Sequence, residues 1–306
     1  MSTSLFFAQL LNGLQYGVLL FLLAAGLTLV FGIMSFVNLA HGSLYMMGAY
    51  AAATAFNVTD SFTVAILAAL IVTMLIGLLL EWVAVSRLYQ RDHLDHVLAT
   101  FGLVLFFNEL ARMIWGPQPY YVQVPAFLNG TVNLFGFTYP SYRFMIIVVG
   151  LLVAVGSYVL IHKTRIGMLI RAGAVNPKMV AALGVNIRRL NSMLFALGAM
   201  LAGLAGAMAG PILSVQSGMG EPVLITTLVV IVIGGIGSVG GAFYAALIVG
   251  IVDTVGRAFL PTVLRQVTER SFADAAGPAL ASMLVYLLMA VVLAWRPQGL
   301  FPANRG

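Results

Sequence analysis

No lysine or arginine occurs before Arg87, and the chain up to that point consists of apolar runs of membrane length. The first runs from Leu5 to about Phe31, and two more follow near 36–56 and 61–86. A bilayer-spanning helix needs roughly 17–25 mainly apolar residues. Over the whole chain 61% of residues are hydrophobic and 8% are charged. Soluble domains carry roughly 25% charged residues to hydrate their surface. Lipid must therefore solvate much of this chain, and in lipid the backbone has to satisfy its own polar groups. The first run is too long for a signal core and has no basic n-region. It reads as a first span with its N-terminus outside.

Further apolar runs lie near 95–115, 141–161, 190–213, 222–236, 240–258 and 278–295. The run 222–236 is short and reads as re-entrant. The expected fold is an all-α polytopic transmembrane helix bundle of eight to nine membrane segments, forming one domain over 1–306. Basic residues set its orientation, because they collect on the cytoplasmic side. Lys163, Arg165, Arg171, Lys178, Arg188 and Arg189 all fall between 161 and 190, so that segment is expected inside. Arg87 and Arg91 follow by alternation, and Arg296 and Arg305 put the C-terminus inside. That last step requires 222–258 to form a pair of crossings, which favours nine segments. The loops 116–140 and 259–277 then face the far side. Trp115, Tyr120, Tyr121, Tyr139 and Tyr142 there suit an interfacial aromatic belt. The net charge of +6 does not point to nucleic acid, since the basic residues sit between apolar runs. No stretch is long enough for a separate soluble domain, so any energy-supplying domain is expected on another chain.

Three motifs stand out. In Arg171-Ala-Gly-Ala-Val-Asn-Pro-Lys-Met-Val-Ala-Ala-Leu-Gly184, Asn176 suits a helix N-cap, Pro177 the first helical position and Gly184 the stop. Met179, Val180 and Leu183 fall on one face at helical spacing. So short a helix is unstable alone and needs a surface to pack on. That surface is either the chain's own bundle or a cytosolic partner. The second motif is Gly234-Gly-Ile-Gly-Ser-Val-Gly-Gly241, a glycine hairpin between two apolar runs, with Gly234, Gly235, Gly237, Gly240 and Gly241. It has neither the βαβ context of a dinucleotide fingerprint nor the lysine of a phosphate loop. The third, Asn38-Leu-Ala-His-Gly-Ser43, puts polar residues at membrane depth and reads as a broken helix. Such breaks are tolerated where backbone faces protein or a wet cavity. His41 is either part of a path or a hydrogen-bonded packing residue.

The remaining ionisable residues read as structural. Asp253 and Arg257 are spaced i,i+4, and Glu109 and Arg112 i,i+3, as helix ion pairs are. Arg91-Asp-His-Leu-Asp-His96 reads as a solvated turn, with Asp95 a candidate cap. Ala202 to Gly210 is a small-residue stretch suited to helix contact. With no cysteine there is no thiolate metal site. No catalytic, metal or cofactor constellation can be assembled.

Taken in order, these motifs resemble the LivH-type permeases of branched-chain amino acid ABC importers. The residues that carry the likeness are Gly26-Leu-Thr-Leu-Val-Phe-Gly32, Asn38 to Gly42, Ala99-Thr-Phe-Gly-Leu103, Arg171 to Gly184, Gly234 to Ser238 and Arg296-Pro-Gln-Gly-Leu300. The resemblance implies a multi-pass protein of the bacterial inner membrane with no bond chemistry of its own. It implies a second homologous permease subunit, two cytosolic ATPase subunits and an extracytoplasmic substrate-binding protein as partners. It also implies that 171–184 is a cytoplasmic coupling helix and that Asn38, His41 and Gly42 line the path. Urea, amides and aromatic carboxylates are alternative cargoes. Two other readings compete: an ion-coupled secondary transporter built on Asp253, and an intramembrane enzyme.

Overall fold

The structure is a computed structural model and describes residues 3–34, 36, 38–89, 91–134, 137–266 and 268–301. Arg305 lies outside the described residues. The helices are α1 (Thr3–Met34), α2 (His41–Thr59), α3 (Phe62–Leu80) continued by a π turn (Glu81–Val85) and α4 (Ser86–Leu88), then α5 (His93–Trp115), α6 (Ser141–Lys163), α7 (Arg165–Val175), α8 (Pro177–Ala182), α9 (Ile187–Ala209), α10 (Gly220–Gly234), α11 (Val239–Leu264) and α12 (Arg270–Trp295). Among the described residues, seven helices are long and apolar enough to cross a membrane, counting α3 through α4 as one.

Burial sorts these helices into a centre and a rim. α1 and α9 are mostly enclosed, whereas α3, α5, α6 and α12 turn wide apolar faces outward. That inverts the rule for soluble bundles, because lipid solvates a leucine as well as the core does. Close approach between backbones then matters more than apolar content. Accordingly, every residue from Ala202 in α9 to Gly210 at its C-cap is buried, as the small side chains predict. α1 packs along α11, α9 and α6, and α9 in turn packs against α2 and α3.

The structure keeps the expected all-α frame and adds one feature in the loop after α5: β1 (Thr131–Leu134) and β2 (Phe137–Pro140) pair antiparallel, with Val132 opposite Tyr139. The bundle therefore carries one small sheet on an otherwise helical frame. The aromatic expectations are corrected. Tyr139 and Tyr142 are buried rather than set in an interfacial belt. The Tyr139 hydroxyl donates to Asn12 Oδ1 at 3.1 Å, and that of Tyr142 donates to the Met208 carbonyl at 2.9 Å. Buried hydroxyls need such partners, and these two fasten the loop and α6 to α1 and α9. Trp115 likewise turns inward, stacking on Tyr50 and donating from Nε1 to Thr54 Oγ1 at 2.8 Å. Tyr120 pairs its backbone with Val215, joining the loop after α5 to the loop after α9. Asp92, not Asp95, occupies the N-cap of α5, and Asp95 sits in the first turn. There a carboxylate still favours the helix dipole.

Candidate functional site

α1 stops at Met34 and α2 starts at His41, so the apolar run 36–56 is interrupted where the polar residues fall. Asn38 begins the turn into α2, its carbonyl accepting the His41 N–H at 3.3 Å. His41 is 1% exposed. Its Nε2 lies 3.2 Å from the carbonyl oxygen of Leu23 in α1. A helical carbonyl keeps a second lone pair beyond its intrahelical bond, so the ring N–H can bond there without breaking α1. The contact is possible because residue 26 has no side chain. A Cβ on Gly26 would stand 2.7 Å from the Gly198 oxygen and 3.0 Å from His41 Nε2. Gly198 is the midpoint of α9, with eleven residues on either side. The histidine therefore sits at the middle of the bundle and faces protein.

The next residue continues the pattern. A Cβ on Gly42 would lie 2.6 Å from the Gly220 oxygen, so the starts of α2 and α10 abut. α10 has 15 residues. At 1.5 Å per residue it is roughly 22 Å long, short of the roughly 30 Å hydrocarbon layer. Two helix N-termini thus meet inside the bundle, and each favours negative charge. Glu221 occupies the first turn of α10, where Asn108 Nδ2 donates to its Oε1 at 2.5 Å. The Gly218 N–H donates to Asn108 Oδ1 at 3.2 Å, and Ser217 Oγ to the Asn108 carbonyl at 3.0 Å. Asn38 is buried close by in sequence, and neither atom of its amide has a protein partner. Leaving such a group unpaired costs about 1–3 kcal/mol. The break therefore concentrates polar demand that packing alone does not explain.

The segment 171–184 folds as its sequence dictates. Thr164 caps α7, accepting the Gly167 N–H at 3.0 Å. Asn176 Oδ1 accepts the Met179 N–H at 3.0 Å, Pro177 opens α8, and Gly184 stops it at φ +87°. Side-chain directions are less uniform than helical spacing predicts. Met179 is 60% and Leu183 77% exposed, but Val180 is only 5% exposed. Val180 anchors α8 to the chain itself, so the free apolar surface is the pair Met179 and Leu183. Leu183 lies just past the helix, at its C-cap. Arg171 is engaged within the chain: its guanidinium donates to the Ile161 carbonyl in the last turn of α6.

The glycine hairpin is narrower than its eight residues suggest. Gly235 and Gly237 take positive φ and make the turn, while Gly240 and Gly241 already belong to the first turn of α11. Gly234 ends α10. The carboxyl end of α10 then receives a partner from far along the chain. The Leu300 N–H donates to the Ile233 carbonyl at 2.8 Å and that of Phe301 to the Gly234 carbonyl at 3.1 Å. The glycine hairpin and the Arg296 to Leu300 tail are thus one structure.

Sequence reasoning missed Leu23 and Gly26 as partners of His41, and Gly220 as the partner of Gly42. It also missed Glu81, a buried carboxylate in the π turn that accepts from Tyr89 at 3.0 Å and Ser192 at 2.8 Å. A lone glutamate in an apolar run was the available signal. Asp253 is held by Arg257, whose Nε donates to both carboxylate oxygens at 2.9 and 3.0 Å. Groups of three or more potential metal ligands do not occur among the described residues.

The chain is a multi-pass bundle of apolar helices with a helix break at its centre, and Asp253 and Glu109 are held in ion pairs. The branched-chain amino acid transport system/permease component family matches residues 9–293. The BraD permease protein of a high-affinity branched-chain amino acid transport system in Pseudomonas aeruginosa is 30% identical over 95% of this chain and 94% of its own length. The LivH permease protein of such a system in Salmonella typhimurium is 28% identical over 96% of both chains. A probable LivH permease of Methanocaldococcus jannaschii is 28% identical over 78% of both. No solved structure matches the chain. The chain belongs to the branched-chain amino acid transport permease family. It is the membrane permease subunit of an ABC importer and not an enzyme. In systems of this family the ATPase and the substrate-binding protein are separate partners.

Proposed function

We propose that the chain carries branched-chain or related amino acids across the bacterial inner membrane, as one of two homologous permease subunits served by two cytosolic ATPases. The names of its relatives over nearly full length support that cargo. The observation that carries the path is the mid-bundle break, where Asn38, His41 and Gly42 meet α10 and Gly26. Two helix N-termini and an unpaired buried amide suit the carboxylate of an amino acid passing close by. The chain then has nine membrane segments: the seven long apolar helices together with α2 and the short α10, both of which begin inside the bundle. Its N-terminus is outside, and 162–189 is cytoplasmic.

Coupling runs through α7 and α8. The exposed Met179 and Leu183 enter an ATPase groove, and ATP-driven closure of the ATPases rocks the permease halves about the central path. The ion-coupled alternative gains nothing from Asp253, whose carboxylate is neutralised by Arg257. The test is uptake into proteoliposomes holding the purified complex. ATP-dependent accumulation of labelled leucine, competed by isoleucine and valine and not by urea, is expected. Uptake driven by a proton or sodium gradient without ATP contradicts the proposal.

A further inference from the structure

A cavity of about 760 Å³ opens between α1, α6, α7 and the start of α11. Its lining combines polar and apolar side chains. Arg171, His162 and Ser238 are among the polar lining residues, and Phe21, Leu151 and Phe243 among the apolar ones. Among the described residues, no carboxylate side chain lines it. The glycine hairpin delivers the N-terminus of α11 to this cavity, since Val239 and Gly240 both line it. Ser238 Oγ caps that helix by accepting the Gly241 N–H at 3.0 Å. The N–H groups of the first two helical residues have no intrahelical acceptor. α11 has 26 residues and carries partial positive charge at this end.

An independent observation comes from α1. Thr28 lines the same cavity, is 1% exposed, and its Oγ1 has no hydrogen-bond partner. A buried hydroxyl without a partner is uncommon. The same cavity is lined by Arg171 and by the N-terminus of α11, both of which favour an anion.

We propose that this cavity holds one anionic phospholipid, its phosphate group at the N-terminus of α11 beside Arg171 and Thr28, and an acyl chain along Phe21, Leu151 and Phe243. A free phosphate ion leaves the apolar walls unused, whereas an amphiphile matches both kinds of lining. The position agrees as well. α7 forms one wall of the cavity, and Lys163 and Arg165 stand at its start. Basic pockets between helices at the cytoplasmic face suit anionic headgroups. The glycine-rich turn lacks the lysine of a phosphate loop, but its backbone and the following helix can still cradle a phosphate.

The test uses the full chain in a neutral detergent, titrated separately with phosphatidylglycerol and with phosphatidylcholine of the same acyl chains. Bound lipid is counted by native mass spectrometry. The proposal expects phosphatidylglycerol to be retained about tenfold more strongly, as one or two cationic contacts predict. Gly240→Glu places a carboxylate where a Cβ at residue 240 would meet nothing within 4 Å. An acid in the first helical turn suits α11, so the variant folds and loses the preference. Thr28→Val, which removes only the hydroxyl, weakens it. Equal retention of the two lipids overturns the proposal, as does an unchanged preference in Gly240→Glu. Displacement of the bound lipid when a second permease subunit assembles also overturns it, because the groove then belongs to protein.

Discussion

His41 Nε2 lies 3.2 Å from the Leu23 carbonyl oxygen, joining the first residue of α2 to the interior of α1. The bond sits beside Gly26, so two motifs separated by an entire turn form one contact. Replacing Gly26 with alanine puts a methyl 2.7 Å from the Gly198 oxygen and 3.0 Å from the histidine. Overpacking of this kind costs about 1–3 kcal/mol. The melting temperature of Gly26→Ala in detergent should fall accordingly. Gly102→Ala, with nothing within 4 Å of its Cβ, should leave melting unchanged or raise it.

The tail and the glycine hairpin should come apart together. Gly299 has φ +85°, and a Cβ there would lie 2.6 Å from Gly235. Gly299→Val cannot keep the tail in register, so the bonds to Ile233 and Gly234 are lost. Hydrogen exchange should then accelerate at the Leu300 and Phe301 amides, which donate those bonds, while the amides of α9 keep their protection.

Tyr139 supplies a pH dependence. Burial pushes its hydroxyl up to about 12, with Arg143 opposing. The folded value lies above the ordinary value of about 10. Stability from the neutral hydroxyl is thus complete below pH 10 and is lost as pH rises toward 12. Tyr139→Phe should flatten the loss of stability over that alkaline window relative to the parent. At pH 7 it should cost about 0.5–1.5 kcal/mol for the bond to Asn12. An identical alkaline slope in both proteins contradicts the assignment.

Orientation is checked by labelling, since the chain has no cysteine of its own. A maleimide that does not cross the membrane should reach Asn129→Cys from outside and Lys178→Cys only in inverted vesicles. Modification of both from the same side contradicts the proposed topology.

Much of the helical order was readable because lipid imposes its own length rule, and the caps of α8 followed from Asn176, Pro177 and Gly184 alone. The break at Asn38 was readable because polar residues interrupt an apolar run. What it touches was not, since Gly26 and Gly220 meet it across helices, and a glycine contact leaves no trace in local pattern. Val180 shows the limit of periodicity. Spacing puts it near Met179 and Leu183, but tertiary packing turned it inward. Tyr139 and Tyr142 suited an aromatic belt by type alone, and the β-hairpin with its neighbouring helices buried them. The tail bonds to Ile233 and Gly234 are backbone contacts, which side-chain identity does not announce.

The most direct test of the account is ATPase capture by Leu183→Asp, read beside Val180→Asp. Leu183 is exposed and α8 is a cytoplasmic element in the proposed topology, so the first variant should insert and melt like the parent. An aspartate in the partner groove is an unpaired buried charge, costing several kcal/mol. Co-purification of the ATPase and ATP-driven uptake should both be lost. Val180→Asp, in contrast, should destabilise the chain itself. Capture and uptake at parental levels in Leu183→Asp would contradict the account and leave α8 as a loop helix that packs only on its own bundle.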